Sequence, residues 1–131
     1  MQGYININTA VTVSTRLSIA LVQDKQQISD TVPTTGDIFD GTTPEARIRV
    51  GASNNTAGRF KILWRRNYLL IPGQRPTVTF DKYWKLYSHI KYNGASAADI
   101  QKNGYYLVLL TSEGTNFPSV NLSTRLGYHD N

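Results

Sequence analysis

Residues 59–71 read RFKILWRRNYLLI, and this stretch decides the fold class. Apolar and cationic side chains alternate along its first half, with Phe60, Ile62 and Trp64 on one face and Arg59, Lys61 and Arg65 on the other. A period of two is typical of a half-buried β-strand, because successive side chains of a strand point to opposite faces of the sheet. The run continues through Tyr68-Leu69-Leu70-Ile71 and is stopped by the turn pair Pro72-Gly73. We therefore predict a strand here, with Trp64 packed towards the core together with Phe60 and Ile62.

Similar runs occur on both sides of this stretch. The first run begins near Tyr4 and ends at Val13, and the second places Leu17, Ile19 and Leu21 on one face. Val78 to Tyr92 is predicted as one long strand or as two strands with a bend. Tyr105 to Leu110 is a near-continuous apolar run, typical of a strand covered on both faces, and a last strand is expected around Leu122 to Tyr128. The pattern predicts six or seven strands and almost no helix, which indicates an all-β sandwich or a barrel-like relative of one. Three shorter features are expected within the polar connections: a helical turn in Pro33–Phe39, a short strand at Arg47–Val50 and a turn of helix at Ala97–Gln101.

The length and composition bound the protein class. A chain of 131 residues is the size of one domain, so we treat residues 1–131 as a single folded unit. The absence of cysteine excludes disulfides and thiolate-bound metal. No apolar run reaches the ~20 residues that span a bilayer, and the first residues lack the pattern of a signal peptide.

The positive charge is concentrated in the middle third of the sequence. The formal net charge is +5, but residues 47–91 hold ten Lys and Arg side chains against one carboxylate, Asp81. Such a concentration attracts polyanions more strongly than the same charge scattered over the chain. An ordinary, well-solvated basic face is the alternative interpretation.

Signatures of catalysis are weak, and we expect no enzyme, no metal site and no cofactor. The glycines are isolated rather than arranged in a phosphate-binding loop, and His89 and His129 have no metal-ligand spacing. A serine–histidine–aspartate triad would require an exposed serine beside one of these histidines, and no nucleophile-elbow sequence supports it.

The remaining candidate site combines basic and aromatic residues on two predicted strands. Its members are Arg59, Lys61, Arg65, Arg66, Lys85, Tyr87 and Lys91, with His89 and Tyr83 beside them. Cations on one face of a strand recur every ~6–7 Å and follow the phosphates of a nucleic acid. Exposed tyrosines stack on unpaired bases. The alternatives are cation–π packing over Trp64, Trp84 and the tyrosines, or a contact between subunits.

Several segments in order resemble one protein family: "RFKIL", "KYNG", "NGYYLVLLTSEG" and a terminal "RLGYHDN". This succession, from about Arg16 to Asn131, resembles the coat proteins of small circular, replication-protein-encoding single-stranded DNA viruses. The resemblance implies a jelly-roll β-sandwich of two four-stranded antiparallel sheets, similar to the coat protein of satellite tobacco necrosis virus. It implies a capsid protein that assembles with copies of itself into a small icosahedral shell of about sixty subunits. It also implies contact with single-stranded nucleic acid, no catalysis, and location in the virion and, during assembly, in the host nucleus.

Family members usually begin with an arginine-rich arm and a first strand ahead of the region that matches. The present sequence begins without either, so we expect weaker packaging of nucleic acid and a sheet edge that another segment must pair. The alternative function is a carbohydrate-binding β-sandwich with Trp64, Trp84 and the tyrosines as a sugar platform. That function requires those rings to be exposed on one face.

Overall fold

The computed structural model describes residues 1–27, 31–49, 58–96, 99–125 and 127. Its strands are β1 (Gln2–Asn6), β2 (Thr15–Asp24), β3 (Phe60–Leu70), β4 (Thr77–Asp81), β5 (Lys91–Tyr92), β6 (Ile100–Lys102), β7 (Gly104–Thr111) and β8 (Ser119–Ser123). A single helical turn, α1, covers Thr35–Ile38, inside the segment where the sequence predicts one. No helix in these ranges has the length and hydropathy needed to cross a membrane.

Two antiparallel sheets form the domain. Sheet A has the strand order β4-β1-β8, sheet B has the order β3-β2-β7, and β5 and β6 form a separate pair. The chain passes from one sheet to the other between β1 and β2, between β3 and β4, and between β7 and β8, as in a jelly roll. The predicted all-β sandwich of antiparallel sheets is therefore confirmed. The resemblance implies four strands in each sheet, whereas each main sheet has three in the described part of the chain.

The central core lies between the two sheets. Its buried residues are Ile5, Leu17, Ile19, Tyr68, Leu70, Val78 and Phe80. Leu17 and Ile19 alternate along β2, as the sequence predicts, and both are 2% exposed or less. Gly3 is required in this core, because a Cβ atom there would lie 2.6 Å from the Asn121 carbonyl oxygen and 2.8 Å from Cζ of Phe80.

A second core covers the outer face of sheet B, and we call it the outer core. It contains Ala20, Val22, Ile38, Phe39, Ala46, Phe60, Val108 and Leu110. The connection after β2 folds over this face, which is why β2 is buried on both sides. Thr34 and Asp37 hold α1 in place with a capping box, in which each side chain accepts a hydrogen bond from the other residue's backbone N–H.

A β-bulge separates residues that the sequence places on one face. Leu21 pairs with Trp64 and Val22 pairs with Ile62, so Leu63 has no partner of its own across the strands. Phe60 therefore lies in the outer core, Ile62 packs against the outer core, and Trp64 packs against the central core. The expectation that these three side chains share a face is wrong, because the extra residue reverses the alternation.

For Val78 to Tyr92 the second alternative applies, because β4 and β5 are two separate strands and the segment between them is unpaired. Regular pairing ends at Asp81 and resumes only at Lys91. The first strand ends at Asn6 rather than Val13, and the last strand begins at Ser119, ahead of the predicted Leu122.

Two short predictions lie partly outside the described residues. Arg47–Val50 contributes one bridge, between Ile48 and Phe39, and Val50 lies outside the described residues. The turn of helix predicted at Ala97–Gln101 is wrong at its end, where Ile100 begins β6. Its first two residues, Ala97 and Ala98, are not described, and Tyr128 of the last predicted strand is not described either.

Candidate nucleic-acid interface

The segment between β4 and β5 presents two different faces although it belongs to neither sheet. Trp84, Leu86, Ser88 and Ile90 are half-buried, and the residues between them are exposed. We call the exposed set the basic–aromatic ridge: Tyr83, Lys85, Tyr87, His89 and Lys91. The alternation predicted for residues 85–91 is thus confirmed, even though the backbone is not paired as a strand. Tyr83 and Tyr87 are 81% and 86% exposed, so their rings are open to a ligand.

The half-buried side of this segment attaches it to the sandwich. The Trp84 ring packs on Trp64 with centroids 5.6 Å apart. At the other end, the hydroxyl groups of Ser88 and Tyr105 are hydrogen-bonded, and Asn103 Nδ2 donates to the His89 carbonyl oxygen at 2.8 Å. These contacts position the ridge across the sandwich from β3 to β7.

The ridge carries positive charge and contains no carboxylate of its own, and Asp81 at the end of β4 precedes it. Residues 82–92 contain Lys82, Lys85 and Lys91 and no Asp or Glu. Lys85 and Lys91 are both exposed, and the exposed side chains of Tyr87 and His89 lie between them along the chain. Tyr87 has a φ of +41°, an uncommon and strained conformation for a bulky residue. Such strain is often found where a side chain is held for binding.

Lys61 and Arg66 lie on the same side of sheet B as the tryptophan that anchors the ridge. Lys61, Trp64 and Arg66 pair with Gln23, Leu21 and Ile19, which alternate along a single face of β2. Both cationic side chains are exposed, and the Arg66 guanidinium lies 5.7 Å from the Tyr68 ring centroid. The bulge therefore gathers two predicted cations beside the ridge.

Arg59, by contrast, is a structural residue in this domain. Its Nε and Nη2 atoms donate to the two carboxylate oxygens of Asp24 at 2.8 and 2.6 Å. The side chains of the pair are only 9% and 1% exposed. A bidentate pair buried to this extent leaves Arg59 little capacity to bind a phosphate.

Arg65 is likewise used inside the domain. Its guanidinium donates to Ser18 Oγ at 2.7 Å, to the Ala46 carbonyl oxygen at 2.6 Å and to the Pro44 carbonyl oxygen at 2.5 Å. It also lies 5.2 Å from the Phe39 ring centroid. Arg65 thus fastens the connection after β2 onto the outer face of sheet B, as part of the cation–π and packing alternative rather than of an open basic face.

Tyr92 is an exposed aromatic residue that the alternation assigns to the buried side. It is 53% exposed and belongs to β5, which pairs only with β6 in the described part of the chain. Its place directly after a basic run is the sequence signal that could have included it in the candidate site.

The other chemistries considered from the sequence find little support in this geometry. Trp64 and Trp84 are both half-buried and pack against each other, so neither offers the open ring face that a sugar platform requires. Within the described ranges, no three His, Asp or Glu side chains are grouped to hold a metal ion. His129 lies outside those ranges.

Comparison with known proteins finds no match, either among models of protein families or among curated proteins.

Proposed function

We propose that this protein is a structural coat protein, which associates with copies of itself and holds single-stranded nucleic acid through non-specific electrostatic and stacking contacts. The observation that carries the proposal is the basic–aromatic ridge, in which cations and open tyrosine rings alternate on one anchored, extended segment. The family resemblance adds assembly into a small icosahedral shell, location in the virion, and location in the host nucleus during assembly.

The contacts favour nucleic acid as the ligand of this surface. Lys61, Arg66, Lys85 and Lys91 form no salt bridge with any described residue, so their charges are available to phosphates. Tyrosine rings stack on bases of any sequence, and lysines along an extended segment follow a single-stranded backbone. A double helix would leave Tyr83 and Tyr87 without unpaired bases to stack on.

The self-association part of the proposal is supported by the fold. A two-sheet sandwich offers loops and strand edges at its rim, and these are surfaces on which identical subunits meet. Sedimentation and electron microscopy of the purified protein test this part. We expect closed particles or defined oligomers, and a strict monomer over a wide range of salt and protein concentration would contradict it.

Salt dependence tests the nucleic-acid part. Four phosphate contacts on a single strand predict that log K falls with log salt with a slope of about −3. The double variant Lys85→Gln/Lys91→Gln should reduce the slope to about −1.5. Fluorescence anisotropy with a labelled, unstructured oligonucleotide measures both values.

The matched control removes two exposed cations elsewhere. Arg47 and Arg49 are exposed, and they lie in the segment that covers the opposite, outer face of sheet B. The variant Arg47→Gln/Arg49→Gln changes the net charge equally and should retain the slope of the unmodified protein. Equal losses in the two double variants would mean that net charge, not the ridge, attracts the oligonucleotide.

A further inference from the structure

One side of the sandwich exposes part of its own interior. In the described part of the chain, β7 is an edge strand of sheet B and β8 is an edge strand of sheet A. β3 and β4, the opposite edge strands of the two sheets, contact each other, so β7 and β8 lie together on the other side of the sandwich. We call this side the β7–β8 edge.

Two leucines at this edge point towards the space between the sheets yet remain open to solvent. Leu109 pairs with Ile19, which belongs to the central core. Leu122 pairs with Gly3, and Gly3 pairs on its other side with Phe80 of the same core. Both leucines therefore lie on the faces of the sheets that point into the sandwich. They are nevertheless 39% and 41% exposed. The core is therefore incompletely covered at the β7–β8 edge.

The charges of the two sides of the sandwich differ. Neither β7 (GYYLVLLT) nor β8 (SVNLS) contains a charged residue. On the other side, β3 carries Lys61, Arg65 and Arg66, and β4 ends at Asp81. Exposed edge strands in soluble proteins are usually protected from pairing by charged side chains. The β3–β4 side has this protection, and the β7–β8 edge lacks it.

We propose that the β7–β8 edge is a pairing surface for a second copy of this chain, with β7 antiparallel to β7 and β8 antiparallel to β8 of the other copy. Two antiparallel edge strands are related by a twofold axis perpendicular to their sheet. Because the two sheets are stacked, one such axis extends both of them at once. The proposal deepens the self-association part of the proposed function and rests on it for its biological role.

Charge favours a second copy as the occupant of this edge. Self-pairing places each strand opposite itself, and an uncharged strand brings no like charges together. The same arrangement at β3 would set the cations Lys61, Arg65 and Arg66 against their equivalents. The neutral edge is thus complementary to itself, and Leu109 and Leu122 become covered by the second copy.

Analytical ultracentrifugation of three single variants tests the proposal. Leu109→Lys and Leu122→Lys each place a cation at the edge, in sheet B and sheet A respectively. Leu69→Lys is the matched control, because Leu69 is 42% exposed and lies on β3, at the opposite side. We expect the unmodified protein and Leu69→Lys to form dimers with the same dissociation constant. For the two edge variants, the dissociation constant of the dimer should be at least about tenfold higher.

Hydrogen exchange of the unmodified protein provides a second measurement that does not depend on how the variants fold. Amides of β7 and β8 should become more protected as protein concentration rises, and those of β3 should not. A protein that stays monomeric overturns the proposal, as does a dimer that both edge variants retain. Protection of β7 and β8 that is independent of concentration also overturns it, since another strand would then cover the edge.

The outcomes separate this inference from the proposed function. A dimer that uses the β7–β8 edge but forms no particle and binds no oligonucleotide retains the inference and removes the coat-protein proposal. Particles that form equally well with Leu109→Lys and Leu122→Lys remove the inference alone.

Discussion

The buried ion pair between Arg59 and Asp24 gives the sharpest test of how the cations divide between structure and binding. Replacing Arg59 by Met removes two short, charge-assisted hydrogen bonds from the Asp24 carboxylate, which is 1% exposed; among the described residues, the Gln26 backbone N–H is the donor that remains. Breaking one partner of such a pair costs about 3–5 kcal/mol. With a urea m-value of about 1.5 kcal/mol/M, the unfolding midpoint should fall by roughly 2–3 M.

Urea unfolding followed by circular dichroism measures this loss. Lys61→Met is the control, because Lys61 is an exposed cation two positions further along the chain, on β3, and its replacement should change the free energy of unfolding by less than about 0.5 kcal/mol. The double variant Asp24→Leu/Arg59→Met removes both charges, and it should recover more than half of the loss, since a well-packed apolar pair often replaces a buried ion pair without cost.

Binding to the oligonucleotide should show the opposite ranking. Lys61→Met should make the slope of log K against log salt less negative by about 0.7, and folded Arg59→Met should retain the slope of the unmodified protein. The reasoning is refuted if Arg59→Met leaves stability within about 0.5 kcal/mol of the unmodified protein and weakens oligonucleotide binding as Lys61→Met does. Arg59 would then contact phosphate.

Three further predictions concern single side chains. Tyr87→Ala should weaken oligonucleotide binding by about 1–3 kcal/mol and leave the salt slope unchanged in anisotropy titrations, because stacking releases no counterion. Tyr68→Phe should raise the free energy of unfolding by about 1 kcal/mol, because the buried Tyr68 hydroxyl has no hydrogen-bond partner in the described chain. Burial also raises the pKa of Tyr68 in the folded protein. The unmodified protein should therefore lose stability above about pH 10, and the variant should lose less. Hydrogen bonds from Thr34 lower the pKa of Asp37 in the folded protein. The stability that these hydrogen bonds contribute is therefore present above the ordinary pKa of 3.8 and is lost as the pH falls through the lowered value. In urea unfolding, Thr34→Ala should lower the free energy of unfolding by about 1 kcal/mol at neutral pH and by less in acid.

These experiments distinguish two groups of cations that the sequence treats alike. Arg59 and Arg65 should affect stability, whereas Lys61, Arg66, Lys85 and Lys91 should affect binding. A result in which all six side chains contribute equally to binding would mean that the internal hydrogen bonds of Arg59 and Arg65 open when the ligand binds.

The alternation of residues 85–91 was predictable from the sequence because it is a property of extended backbone itself. Consecutive side chains point in opposite directions whether or not the backbone is paired, so Lys85 and Tyr87 are exposed although residues 82–90 form no strand, and Lys91 is exposed where β5 begins. The apolar run Tyr105 to Leu110 was likewise recognisable as a strand, but Leu109 is 39% exposed, so the expectation that both of its faces are covered is wrong at that residue.

The sequence by itself therefore determined the fold class and the two-faced character of its extended segments. Only the tertiary structure decided which cations are free. Arg59 meets a carboxylate 35 positions away in the chain, and Arg65 meets carbonyl groups 19 and 21 positions away. The bulge at Leu63 depends on how β3 aligns with β2. Local periodicity determines the direction of a side chain relative to its own backbone. Its hydrogen-bond partner depends on which distant segment of the chain packs beside it.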